Sequence, residues 1–130
     1  MMASVVFETH LTDPEKLTFA QRARSGCLMS TNGHLVVDGV ERNQYAKVRV
    51  FLRGKSYSVY RHRLCYYVDN DFVPIPPDMQ ISHLCHLKSC CLSEHLCLES
   101  ASVNNSRKQC ASTGTCLGHS EGHANCVFQA

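Results

Sequence analysis

Twelve of the forty-four residues from His83 to Cys126 are cysteine or histidine, in the run HLCHLKSCCLSEHLCLESASVNNSRKQCASTGTCLGHSEGHANC. Thiolate sulfur and imidazole nitrogen are the donors of tetrahedral zinc, which takes four of them. The spacings allow two sets. Cys85-x4-Cys90-x4-His95 supplies three donors, with Cys27, Cys65, Cys91 or Cys97 available as the fourth. Cys110-x5-Cys116 followed by Cys126 supplies three more, with His119 or His123 to complete them. A solitary cysteine is usually a small buried hydrophobe, but a cluster at such short spacings is a metal signature. The second set is the firmer. Its segment, 110–126, is rich in Gly and Ser and has little means of ordering except metal.

His83 and Asn104 are a different pair. Gln80–Leu84 and His95–Glu99 read as two short strands around an irregular Cys85–Ser93 excursion. Ser100–Gln109 reads as a helix capped by Ser100 or Ser102, with Arg107 and Lys108 in its last turn. A hairpin with that helix packed on it sets an imidazole beside a carboxamide oxygen. Phosphodiester hydrolysis uses such a pair. A neutral histidine takes a proton from water, and a divalent cation on an oxygen ligand stabilises the departing oxygen. On spacing alone the plainer readings are stronger: His83-x-Cys85 as a chelating pair, and Asn104 as an exposed helix residue.

The rest of the chain must position these groups. At 130 residues it is one domain, with a core small enough to gain from zinc. Asp13-Pro14 opens a helix, with Asp13 as its capping acid and Gly26 near its end. His34–Asp38 is a short strand. Tyr45–Arg53 alternates, with Ala46, Val48, Val50 and Leu52 on the core face and Lys47 and Arg49 outward. Gly54-Lys55 is a hairpin tip, Ser56–Tyr60 runs back, and Arg61–Val68 is strand or helix. Asn70–Met79, with Pro74, Pro76 and Pro77, is a loop.

Charge is concentrated upstream of the cysteine-rich run. Arg42, Lys47, Arg49, Arg53, Lys55, Arg61 and Arg63 follow one another with no acid between them. Such a block is either a phosphate-tracking surface or the solvated face of a hairpin. The net charge of +2 is too small to decide. Nine cysteines, an odd number, fit complete disulfide pairing poorly. The first residues have no secretory pattern and no segment has the length of a membrane span, so the expected setting is intracellular with reduced thiols.

The run SHLCH…C…HLC.ES…N…R…C…C.GH…C resembles the His-Cys box homing endonucleases, members of the ββα-metal (His-Me finger) nucleases. The match is dense from Ser82 to Cys126 and extends loosely upstream to Cys27. It implies a small α+β domain with an antiparallel β-sheet and a ββα-metal unit, stapled by two structural zinc ions. Residues 27–80 would carry an upstream zinc ligand and a DNA-reading sheet, and 81–126 the box. The resemblance places the general base on His83 and the single protein ligand of a catalytic Mg²⁺ on Asn104. It assigns Cys27, Cys85, Cys90 and His95 to the first zinc, and Cys110, Cys116, His119 and Cys126 to the second, with His123 as the alternative. The family's phosphate-contacting arginine falls on Lys47, with Arg49 two residues on, and lysine lacks the bidentate fork. Lys47, Arg49, Arg53, Lys55, Arg61 and Arg63 are the expected DNA contacts. The implied activity is Mg²⁺-dependent cleavage of double-stranded DNA, in the nucleus. The alternative is a zinc-stapled nucleic-acid-binding or interaction module with little or no turnover. The chain stops four residues after Cys126, short of the family's exchanged tail, so the expectation is a monomer or a homodimer built differently.

Overall fold

The computed structural model describes residues 6–7, 10–23, 25, 27–29, 35–37, 44–116, 118–119 and 124–126. Arg42 and His123 lie outside the described residues. In chain order the elements are α1 (Asp13–Ala23), β1 (Cys27–Met29), β2 (Leu35–Val37), β3 (Lys47–Leu52), β4 (Lys55–Tyr60), α2 (Arg61–Asp69), β5 (Met79–His83), a short 3₁₀ turn (Ser93–His95), β6 (Leu96–Ser100) and α3 (Ala101–Thr113).

The fold class is α+β, as the sequence predicts. Among the described residues the strands form three separate antiparallel pairs, β1 with β2, β3 with β4 and β5 with β6, rather than one continuous sheet. The break follows from Arg61–Asp69, which the sequence leaves open between strand and helix. It folds as α2, so the chain leaves β4 for a helix instead of adding a third strand. Leu64, Cys65 and Tyr67 of α2 are buried, and the Arg61 amide bonds the Ala46 carbonyl at 2.8 Å.

α1 begins at its expected cap, one residue earlier than the sequence suggests. Thr12 and Glu15 form a reciprocal capping box, with the Thr12 amide on Glu15 Oε1 at 2.8 Å and the Glu15 amide on Thr12 Oγ1 at 3.4 Å. Thr12 is therefore the cap and Asp13 the first helical residue. The β3–β4 tip is also displaced by one. Leu52 pairs with Lys55, so the turn is Arg53-Gly54, both at positive φ (51° and 83°). A two-residue turn with two left-handed residues matches the twist of a hairpin. Arg53 is held in that conformation by bonds from its guanidinium to the Glu15 carboxylate and to the His10 carbonyl.

The core lies between α1, α2, the inner face of β3–β4 and the β5–β6 hairpin. Phe19, Val48, Val50, Leu52, Val59, Leu64, Tyr67, Ile81 and Leu96 belong to one buried cluster. The alternation of β3 is as expected, with Val48, Val50 and Leu52 inward and Lys47, Arg49 and Phe51 outward. Arg61 departs from expectation. It is buried, and its Nη1 donates to the carbonyls of Arg22, Ala23 and Ser25 at 2.9–3.1 Å. Arg22 and Ala23 are the last residues of α1, where carbonyls lack a following helical turn. Arg61 closes that helix end and is removed from the outward basic face.

Candidate active site and metal centres

The β5–β6 hairpin carries His83 and α3 carries Asn104. Register pairs His83 with Leu96, Gln80 with Glu99 and Met79 with Ser100. α3 follows β6 directly. The Ser100 hydroxyl accepts from the Val103 amide at 3.3 Å, and Gly114, left-handed at φ 75°, closes the helix with its amide on the Cys110 carbonyl. The helix thus runs four residues beyond Gln109, and Cys110 rides on its last turn.

Arg107 was expected among the last-turn cations. Instead it is buried and paired with buried Glu99 of β6, Nε to Oε1 at 2.8 Å and Nη2 to Oε2. Burial alone would raise the Glu99 carboxyl, but the bonds and charge of Arg107, together with Ser82 and Cys97, outweigh it and hold the carboxyl at about 2. Arg107 also donates to the Ala124 carbonyl at 2.8 Å and to Cys126 Sγ at 3.4 Å. The pair therefore locks α3 to the hairpin and ties the second cysteine group to both. Glu99→Ala leaves a buried guanidinium charge without its partner. The expected loss is about 3–5 kcal/mol of stability, read from denaturant unfolding at neutral pH. A variant as stable as the parent would show that the pair does not anchor the helix.

Two groups of donors converge. Cys110, Cys116, His119 and Cys126 bring one ligand atom each to within 4.8 Å of the others, as do Cys85, Cys90 and His95. Among the described residues His119 is the fourth member of the second set. Its Nε2 lies 3.4 Å from both Cys116 Sγ and Cys126 Sγ, and its Nδ1 is 2.9 Å from Ser106 Oγ. The Ser106 hydroxyl donates to the Val103 carbonyl, so it accepts from His119 Nδ1–H and leaves Nε2 as the ligand atom. Donation from the Cys126 amide lowers the Cys116 thiol toward the thiolate a metal needs. In the first set the hydrogen bond with the Cys90 thiol, then burial, and to a smaller extent repulsion from Cys90, push the Cys85 thiol up. A divalent cation between them removes that repulsion, so both donor sets fit zinc in chemistry and spacing.

Cys27 stands outside the first group. β1 leaves the end of α1 almost at once, and Cys27 Sγ lies 3.8 Å from the Ala23 carbonyl. Cys65 Sγ meets the same carbonyl at 3.3 Å. The Cys65 thiol, followed by burial, pushes the Cys91 thiol up, with smaller effects from Cys27 and Cys90.

His83 and Asn104 do come together, lining one cleft of about 180 Å³ with Tyr45, Lys88 and Lys108. His83 Nε2 is 2.9 Å from the Cys90 carbonyl. A carbonyl only accepts, so Nε2 carries the proton and Nδ1 keeps its lone pair. Burial lowers the His83 imidazole to about 4, which keeps the ring neutral near pH 7. His62 packs against it with ring centres 4.5 Å apart, and Tyr45 stacks on His62 at 5.3 Å.

The expected phosphate-contacting cations do not line this cleft. Lys47 Nζ lies over the Tyr60 ring at 5.3 Å, and Arg49 Nη1 bonds Ser56 Oγ at 2.9 Å. Lys55 is exposed beside the hairpin tip. Arg63, by contrast, shares a cleft with Asn104. Its guanidinium lies over Phe7 at 5.5 Å, and it lines a second cleft of about 260 Å³ with His62, Gln80 and Asn104. Tyr45, His62, Gln80, Lys88 and Lys108 were not singled out by the sequence, because nothing in their local spacing marks them. Only packing of α2 and α3 on the β5–β6 hairpin assembles them.

The architecture and donor sets define a class: a small α+β domain whose hairpin–helix unit is built to be stapled by zinc beside a half-buried histidine. The family is shown by a model described as the zinc-binding loop region of homing endonuclease, which matches residues 26–129, and the chain belongs to that family. No curated protein matches the chain, and no solved structure does. Membership associates the chain with nuclease activity and DNA, and with structural zinc.

Proposed function

We propose that the chain is an endonuclease that hydrolyses phosphodiester bonds of double-stranded DNA, with His83 as general base. The observation that carries this reading is the bond from His83 Nε2–H to the Cys90 carbonyl, which leaves Nδ1 basic in the cleft that Asn104 also lines. His83 Nδ1 takes the proton of the attacking water while the water oxygen forms a bond to phosphorus. Asn104 Oδ1 would hold a divalent cation, Mg²⁺ or a similar ion, which when bound stabilises charge on the departing 3′ oxygen. Lys88 and Lys108 on one side of Asn104, and Arg63 on the other, add positive charge where a phosphate would enter. The P–O3′ bond breaks, giving 5′-phosphate and 3′-hydroxyl ends. Cys27, at the start of β1, is the proposed fourth donor of the first zinc.

The zinc-loaded protein is expected to nick and then linearise supercoiled plasmid when Mg²⁺ is added. Failure with both Mg²⁺ and Mn²⁺, zinc intact, would overturn the nuclease reading and leave a DNA-binding module. The DNA face is the outward side of β3–β4, where Lys47 and Arg49 point away from the core. Phosphate contacts there release counterions, so affinity for duplex DNA is expected to fall steeply with salt. The slope of log affinity against log salt is about −0.9 per contact. Removing either Lys47 or Arg49 should make that slope shallower by about one. Binding indifferent to salt would rule this face out.

A further inference from the structure

Asn104 and Arg107 lie one turn apart on α3, and their partners, Gln80 and Glu99, are directly paired across β5 and β6. The buried Glu99–Arg107 pair fixes how the helix sits on the hairpin. One turn earlier, this docking brings Asn104 Nδ2 to 2.6 Å from Gln80 Oε1. An asparagine carboxamide has two ends of opposite character. Its oxygen accepts and can ligate a hard cation, whereas its NH₂ only donates. A single asparagine that turns over in its site presents the wrong end to a cation part of the time. In the arrangement present, Nδ2 donates to Gln80 Oε1 and Oδ1 is the end available for ligation. Both side chains line the cleft that also holds His62 and Arg63, so the amide pair sits at the wall of the site and not within the core.

We propose that Gln80 is a positioning residue that sets which end of the Asn104 carboxamide faces the divalent cation. The proposal rests on the nuclease reading, because it gives Asn104 a cation to face. It treats Gln80 as the outer partner of a metal ligand, a position whose loss typically costs 10–100-fold in metal affinity or activity.

The test uses the zinc-loaded full chain and Mn²⁺ as the probe, followed by titration calorimetry and Mn²⁺ paramagnetic resonance as well as plasmid cleavage. Gln80→Leu keeps the size of the side chain and removes the acceptor. It is expected to weaken Mn²⁺ binding about 10–100-fold. The cation concentration for half-maximal cleavage should rise by the same factor, with a smaller change at saturating cation. Gln80→Glu keeps an acceptor oxygen and should restore binding. In an Asn104→Ala background Gln80→Glu should do nothing, because its effect passes through Asn104. Zinc content and melting temperature are followed for each variant.

Wild-type Mn²⁺ affinity in Gln80→Leu would overturn the proposal while leaving the nuclease reading intact. So would restored affinity from Gln80→Glu without Asn104, which would make the new carboxylate a ligand itself. A zinc-loaded wild type that neither binds Mn²⁺ nor cleaves would remove both proposals together.

Discussion

His83→Ala is expected to lower the cleavage rate about 10²–10⁴-fold, the usual contribution of a positioned general base, while zinc content stays at the wild-type level. The second half of that expectation separates base from scaffold. His83 belongs to neither group of converging donors, although it sits two residues before Cys85. Its ring hydrogen-bonds the Cys90 carbonyl. Removing the ring leaves that carbonyl short of a donor, at a cost of about 1–3 kcal/mol, less than a folded domain normally holds. The variant should therefore fold, bind both metals and bind DNA, yet cleave poorly. The rate should be measured at saturating DNA and Mg²⁺, so that loss of binding cannot imitate loss of chemistry. Added imidazole supplies the missing base in solution and is expected to recover part of the rate. Cleavage at the wild-type rate would take His83 out of the mechanism, and the His62 imidazole packed against it would be the next group to test.

The sequence made some of this site legible and hid the rest for physical reasons. Metal donors are legible because chelation favours short separations: Cys85, Cys90 and His95 were readable from spacing, as was the Cys110–Cys126 group. The inward face of β3 is legible because a strand alternates with period two, and Val48, Val50 and Leu52 obey it. The His83–Asn104 pairing was suggested by the hairpin–helix pattern and sharpened by the family resemblance. What stayed hidden depends on how elements dock. Arg61 belongs to a basic run that looks uniformly outward, yet α2 turns it onto the open end of α1. Glu99 and Arg107 look like ordinary surface charges of a strand and a helix until α3 lies down on the hairpin and buries both. The Gln80–Asn104 bond exists only because that pair fixes the helix one turn further along. His119 could be preferred to His123 only through the resemblance until the chain brought its Nε2 between Cys116 and Cys126.

Zinc removal is expected to unfold the protein rather than merely silence it. Structural zinc in small domains carries an apparent free energy of about 10–16 kcal/mol at neutral pH, which equals or exceeds the whole stability of a typical domain, about 5–15 kcal/mol. Here the donors sit at structural junctions. Cys90 is fully buried at the edge of the core, and Cys110 is in the last turn of the helix that carries Asn104. Arg107 joins Cys126 to Glu99, so the second metal group shares its anchor with the hairpin. Without the ions, thiolates held this close repel one another, and the thiols must stay protonated or move apart. Elemental analysis should find two zinc ions per chain. A strong chelator should abolish the cooperative thermal transition and most of the helical signal at 222 nm, and readdition of zinc under reducing conditions should restore both. Cys110→Ser should lose one zinc ion and much of the stability. Cys97→Ser, outside both groups, should keep both ions and melt near the wild type. A chelated, zinc-free protein with an unchanged melting transition would show that the two groups are packed thiols and imidazoles, and that the core holds the hairpin and helix together alone.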